Sequence, residues 1–297
     1  MAQKKHRFTK IFVVCGLIVL TAALVLFIAG MSAANWNFSK LSTVQYSVLT
    51  FEQTDESIRS IDVRYQNADI AVTISPDAEK IAVKYPVRTD ADGKQAAVTL
   101  KAENGTLYLT ESDDNFQPVS WFFGSVPPVE IVLPAAEYAS LHLQTDTGDI
   151  RVSGLSAAQD IILQTDTGDI ELSGISAAAG IAATADSGDI RLSDVSAAQK
   201  ITLKSDVGDL TLNSVTAAEI EAGADTGNIA VSGIAADAIT LAADTGDIRG
   251  TLAGKQNDYT ISVQTGTGSS NLQSGGSGAN RLTASTDVGD IELYFAE

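Results

Sequence analysis

Residues 161–174 read IILQTDTGDIELSG, and the fold follows from them. Ile161 and Leu163 before the central turn, and Ile170 and Leu172 after it, recur at alternate positions, the period of a strand with one buried face. Between the two runs stands Asp166-Thr167-Gly168-Asp169. Glycine takes positive φ at little cost, and the first Asp is placed to accept hydrogen bonds from turn amides. The pattern Asp-[Thr/Ser/Val]-Gly-[Asp/Asn]-[Ile/Leu] begins at Asp146, Asp166, Asp186, Asp206, Asp225, Asp244 and Asp287, in steps of 20, 20, 20, 19, 19 and 43. Gly266-Thr267-Gly268-Ser269 is a degenerate copy that splits the last step into 22 and 21. The flanks keep phase throughout, as in Leu141 and Leu143, Ile150 and Val152, Ile201 and Leu203, Leu210 and Leu212; Gly250 breaks it. A second corner, Gly154-Leu155-Ser156-Ala157-Ala158 with copies from Gly174 and at Val195, turns the chain with its apolar member inward.

A meander of hairpins would need a tight turn at both ends of every strand, and only one of these corners is tight. Identical residue types at identical phase stack when each repeat is one coil on the last. The sequence therefore predicts an all-β fold: a single-stranded parallel β-solenoid, right- or left-handed, of coils about twenty residues long and about 4.8 Å apart. In that register Arg151, Glu171 and Arg191 form an exposed ladder of opposite charges.

Upstream, residues 11–34 (IFVVCGLIVLTAALVLFIAGMSAA) run for 24 positions without a charge, enough for one membrane-crossing helix. Lys4, Lys5, Arg7 and Lys10 precede it, which places residues 1–10 in the cytoplasm as a basic tail and the body outside a bacterial cell membrane in single-pass topology. The apolar run is longer than that of a cleaved signal peptide, so the reading is an uncleaved anchor, with Cys15 a membrane-embedded thiol. Residues 35–50 read as a polar linker. Residues 51–140 read as broader, atypical capping coils, with strands around 58–63, 68–74, 81–85, 107–109 and 129–134; Asn67-Ala68-Asp69-Ile70 is a worn copy of the repeat corner. Residues 141–297 are the repeat solenoid. Residues 271–280 (NLQSGGSGAN) read as a flexible excursion, and 291–295 as an open β edge.

The 297 residues hold 19 Lys+Arg against 37 Asp+Glu; without the four basic residues of the tail the remainder carries 15 − 37 = −22. Such a body repels phosphate backbones, so nucleic acid is excluded as a partner. One cysteine and two histidines, His6 and His142, leave no disulfide or thiolate cluster within the chain, and His142 reads as an exposed strand residue.

The combination of Ile61-Asp62-Val63 with Asn67-Ala68-Asp69-Ile70, of 129–134 leading to Tyr138 and Leu141, and of the Asp-X-Gly-Asp-Ile series resembles the putative-adhesin β-solenoid family of bacterial membrane-anchored proteins, which includes the LiaG type linked to envelope stress. The resemblance covers residues 50–297. It implies the fold and an extracytoplasmic place, and it brings no catalytic residues with it.

Asp-Thr-Gly is also the aspartic-protease signature, but a protease needs two carboxylates facing each other and sharing a proton, whereas stacked coils give a column. The column's members are Asp146, Asp149, Asp166, Asp169, Asp186, Asp189, Asp206 and Asp209, continuing to Asp225, Asp244 and Asp247. Two readings of what offsets their repulsion stay open: amide hydrogen bonds with solvent screening, or bound Ca²⁺ held by the column as a metal site. No other cofactor is indicated. Trp121, Phe122 and Phe123 either plug the end of the core or form a contact for a partner or the membrane surface. The expected function is that of a non-enzymatic envelope module, tethered to the membrane through 11–34 and contacting an envelope protein or surface ligand. A polysaccharide-acting β-helix enzyme is the alternative, weakened because residues 141–253 contain no Phe, Trp or Tyr.

Overall fold

The computed structural model describes residues 19–33, 35–36, 42, 44–53, 57–89, 93–112, 125–157 and 159–296. The chain divides into two compact units, the larger comprising Tyr46–Val87, Ala96–Asn115 and Val126–Glu297, the smaller Met1–Gln45, Arg88–Gln95 and Phe116–Ser125. In the smaller unit residues 19–33 are α-helical, with Val19, Leu20, Leu24, Val25, Leu26, Phe27 and Ile28 exposed. Among the described residues no helix is long and apolar enough to cross a membrane. The first part of the expected span, 11–18, lies outside the described residues, as do Trp121, Phe122 and Phe123.

The larger unit is the expected β-solenoid. Each repeat gives one strand to each of two sheets, with the Asp-X-Gly-Asp turn between them. One sheet runs Ser140–Thr147, Ile161–Thr167, Ile181–Ser187, Lys200–Val207, Glu219–Thr226, Ala238–Thr245; the other runs Ile150–Ser153, Ile170–Ala177, Ile190–Ala197, Leu210–Thr216, Ile229–Ile234, Ile248–Ala253. Neighbouring repeat strands pair in parallel and in register: Leu141, Ile161, Ile181 and Ile201 align in one sheet, and Ile150, Ile170, Ile190 and Leu210 in the other. The inward Ile, Leu and Val side chains fill the space between the sheets as one continuous core. Because each coil buries its face only against its neighbours, stability is shared along the stack. At the second corner Leu155, Ile175, Val195, Val215 and Ile234 are buried, as the pattern predicted. Gly250, the phase breaker, lies where the backbone presses on the coil before it: a Cβ there would stand 1.7 Å from the Val231 carbonyl oxygen.

The coil order departs from the chain order at both ends. The coil of Ser60–Asn67 and Ile70–Ser75 packs directly on that of Ser140–Thr147 and Ile150–Ser153, while Thr106–Ser112 and Val129–Pro134 lie one layer further out. Antiparallel strands finish this end: Ala97–Glu103 on Thr106–Ser112, and Ile81–Thr89 on Val129–Pro134, with Gln45–Gln53 outermost. The chain is thus already a strand within the stretch that reads as a linker. At the other end the last coil, Asn280–Val288 and Ile291–Ala296, inserts against Ala238–Thr245 and Ile248–Ala253, and Tyr259–Thr267 is pushed outside it.

Candidate functional site

The acidic column separates into two rows with different chemistry. The second Asp of each turn uses Oδ1 to accept the backbone N–H of the equivalent residue one coil on. The links run from Asp69 to Asp149 (2.9 Å), Asp169 (2.8 Å), Asp189 (2.9 Å), Asp209 (2.7 Å), Asn228 (2.7 Å), Asp247 (2.9 Å) and Asp290 (2.7 Å), and end at Ser269 (2.8 Å). The acceptors of turn amides are therefore these second Asp residues, and the amides belong to the neighbouring coil; the sequence reading had given that role to the first Asp. The worn copy at Asp69 is the first rung. Asn228 keeps the ladder intact without a charge, accepting from the Asp247 amide and donating Nδ2 to Asp209 Oδ1 at 3.2 Å. A rung thus needs an oxygen acceptor and not an anion.

The second carboxylate oxygens meet arginines from the outer face of the adjoining strand. Arg151 reaches Asp149 at 2.6 Å, Arg191 reaches Asp169 at 2.8 Å and also pairs with Asp189, and Arg249 reaches Asp247 at 2.7 Å. The expected opposite-charge row has the expected register, but its arginines bond most closely to the ladder: Arg151 stands 3.7 Å from Glu171. Behind the ladder, Thr145, Thr165, Ser205 and Thr286 bury their hydroxyls against carbonyls of the adjoining coil, at 3.1, 3.1, 2.9 and 2.9 Å. These hydroxyls were missed in the sequence; the signal was there, in the small Thr, Ser or Ala that always precedes the first Asp.

Burial pushes the Asp169 carboxyl up, but the Asp189 amide and the Arg191 guanidinium outweigh it and hold it below the usual range. The amide and hydroxyl of Ser269 lower Asp290 in the same way. A depressed carboxylate contributes stability that is present above its unfolded pKa of about 3.9 and is lost as pH falls through the lower folded value. Thermal melts are therefore expected to show a falling Tm below about pH 4, and the fall is expected to shrink in Asp169→Asn, which keeps the acceptor oxygen. A Tm that rises on acidification through that range would mean that repulsion along the column dominates.

The eight Asp of the proposed metal column are placed as follows. Asp149, Asp169, Asp189 and Asp209 are ladder rungs, each with Oδ1 on an amide and the first three with Oδ2 on an arginine, so a Ca²⁺ ion there would compete with those partners. Asp146, Asp166 and Asp186 are exposed, and the half-buried Asp206 pairs with Lys204 at 2.8 Å. Among the described residues no three His, Cys, Asp or Glu side chains converge at a metal-holding separation. His142 is half-buried rather than exposed, its Nδ1 3.4 Å from Asp62 Oδ2.

What the turn edge presents to solvent is two rows one residue apart, the first exposed except at the half-buried Asp206. Beside the first Asp residues runs Thr147, Thr167, Ser187, Val207, Thr226, Thr245, Val288 and Thr267, in register across the coils and exposed at every step. Away from this edge, a cleft of about 230 Å³ lies among Ile58, Arg59, Lys80, Ile81, Ala136 and Tyr138. Burial raises the Tyr138 hydroxyl there, and Arg59 partly offsets it.

A family profile described as Toastrack DUF4097 matches residues 58–294. The chain belongs to the Toastrack DUF4097 family. The matched stretch takes in every coil of the two sheets and the ladder between them. The Toastrack chain is similar in fold to a solved structure from Bacteroides fragilis described as a "putative adhesin", at 16% identity and a TM-score of 0.51 over 84% of this chain and 97% of that one. A "putative lipid binding protein" from Parabacteroides distasonis aligns at 13% identity and a TM-score of 0.44 over 84% and 97%. A "putative cell adhesion protein" from Clostridium sporogenes aligns at 10% identity and 0.27 over 85% and 100%. At 16% identity the likeness to the first of these is one of fold alone. No protein of curated function matches this Toastrack sequence.

Proposed function

We propose that this Toastrack protein is a non-enzymatic interaction module of the bacterial envelope, anchored by residues 11–34 with its solenoid outside the cytoplasm and working in an envelope-stress setting like that of the LiaG type. The observation that carries the interaction reading is the turn edge. The ladder and its arginines hold nine turns in register, and that rigid frame displays paired rows of Asp and of Thr, Ser or Val to solvent. The same ladder commits alternate carboxylates to amides and guanidinium groups, which leaves them unsuited to act as the facing acid and base of a glycan-cleaving enzyme. The description of the Bacteroides fragilis neighbour as a "putative adhesin" agrees with this reading. The charge-free run 11–34 behind four basic residues, and the exposed apolar side chains of 19–28, support the anchor.

The test uses the full chain in living cells. With Cys15→Ser as background, Thr167→Cys is expected to react with a membrane-impermeant maleimide in intact cells, and Lys5→Cys only after permeabilisation; the reverse pattern would refute the topology. A photo-crosslinker placed at Thr167 or Thr226 is expected to give a discrete adduct that one at Thr202, on a sheet face, does not give. No adduct from the turn edge would refute the interaction reading.

A further inference from the structure

Residues 269–278, which include most of the glycine-rich stretch 271–280 expected to be a flexible excursion, are fitted along the last edges of both sheets. Ile291–Ala296 is the outermost strand of one sheet at this end, and Tyr259–Thr267 of the other. On the first, the Ile291 amide donates to the Ser269 carbonyl (2.9 Å) and the Asn271 amide to the Ile291 carbonyl (3.1 Å). The Asn271 side chain then imitates a strand: Nδ2 donates to the Leu293 carbonyl (2.9 Å) and Oδ1 accepts the Leu293 amide (3.0 Å). On the second, Gly275 exchanges both backbone bonds with Ile261 (2.8 and 2.9 Å), and Ser274 Oγ accepts the Val263 amide (2.9 Å) and donates to its carbonyl (3.2 Å). Leu272, between the two contacts, is buried in the core. The glycines are a matter of fit: a Cβ on Gly276 would stand 2.5 Å from the Tyr259 oxygen, and one on Gly278 2.0 Å from the Asp258 carbonyl carbon.

Unpaired strand edges recruit other strands, and a fold restrains them with charge or with cover. At the opposite end of this sheet Ala97–Glu103 carries Lys101 and Glu103, paired at 3.0 Å. Tyr259–Thr267 (YTISVQTGT) carries no charge and no proline, and it is rich in β-branched residues. That is the signature of a segment that pairs with its own copies. We propose that residues 269–278 are a lock on the C-terminal edges, and that what the lock excludes is a second copy of this chain, joined edge to edge through Tyr259–Thr267. Strand addition would then be available only when the lock is lifted.

The test compares the full chain in detergent micelles with Gly278→Val, which forces the strap off the edge, and with the double variant Asn271→Ala/Ser274→Ala, which removes its side-chain bonds. Amide hydrogen exchange at Ile261 and Val263 reports opening, and sedimentation velocity over a range of concentrations reports assembly. Both variants are expected to speed exchange at those amides and to shift the protein towards species of twice the wild-type mass and larger. Adding Thr260→Lys, a charge on the freed edge, is expected to return the mass to that of the wild type. Unchanged exchange, or opened edges with no gain in mass, would overturn the proposal. So would assembly that persists with Thr260→Lys, because it would then be general aggregation of unfolded chain.

Discussion

Gly188→Ala is expected to be among the most damaging single-methyl changes in this chain, costing on the order of 4 kcal/mol or more. Gly188 has φ +153°, and a Cβ on it would lie 1.9 Å from the Gly168 oxygen and 2.5 Å from its carbonyl carbon. The obstacle is backbone, so no rotamer change relieves it. The two coils must part, which strains the ladder bonds to Asp169 and from Asp209. Gly223→Ala is the control. Gly223 lies within Glu219–Thr226 with nothing within 4 Å of a Cβ, and alanine there is expected to be neutral or stabilising by up to about 1 kcal/mol. Chemical denaturation of the two variants beside the parent checks this, and equal losses would mean that the glycine column is not set by coil contact.

Ile170→Asp carries the other large effect. Ile170 is fully buried and stacks in register between Ile150 and Ile190, so the change removes an apolar side chain from the core and puts a carboxylate in its place. A loss of at least about 4 kcal/mol is expected, a large fraction of the stability of a typical domain. Glu171→Ala, one residue on, removes a half-exposed side chain that stands 3.7 Å from Arg151, and is expected to change stability by less than about 1 kcal/mol. Similar losses from both would contradict the inward phase assigned to every strand of the repeat.

Much of this molecule was legible in its sequence because a solenoid repeats one local decision. The alternation around Asp166 states which residues face inward, and the period states that the next coil does the same. What was hidden depends on contacts between coils. Nothing local distinguishes Asp166, which faces solvent, from Asp169, which takes the Asp189 amide; the difference arises only once a neighbouring coil supplies the donor. The glycines of 271–280 read as flexibility because sequence records that a side chain is missing and not what occupies its space. Here a backbone does. The exchanged coil order at each end is hidden for the same reason: Asn67-Ala68-Asp69-Ile70 fits the repeat, and only the packing shows that its partner is Asp149 and not the next strand in the chain.

The order of the coils decides every contact between coils described above, and cysteine cross-linking of the full chain in a Cys15→Ser background measures it directly. Adjacent in-register strands are about 4.8 Å apart, within reach of a disulfide, and strands two steps apart are not. Asn67→Cys/Thr147→Cys and Thr245→Cys/Val288→Cys are each neighbours across one step, whereas Thr245 and Thr267 are separated by the Val288 strand. The first two pairs are expected to oxidise to intramolecular disulfides under mild conditions, and Thr245→Cys/Thr267→Cys is not. A disulfide in that third pair with none in the second would show coils stacked in chain order, and would contradict the fold described above.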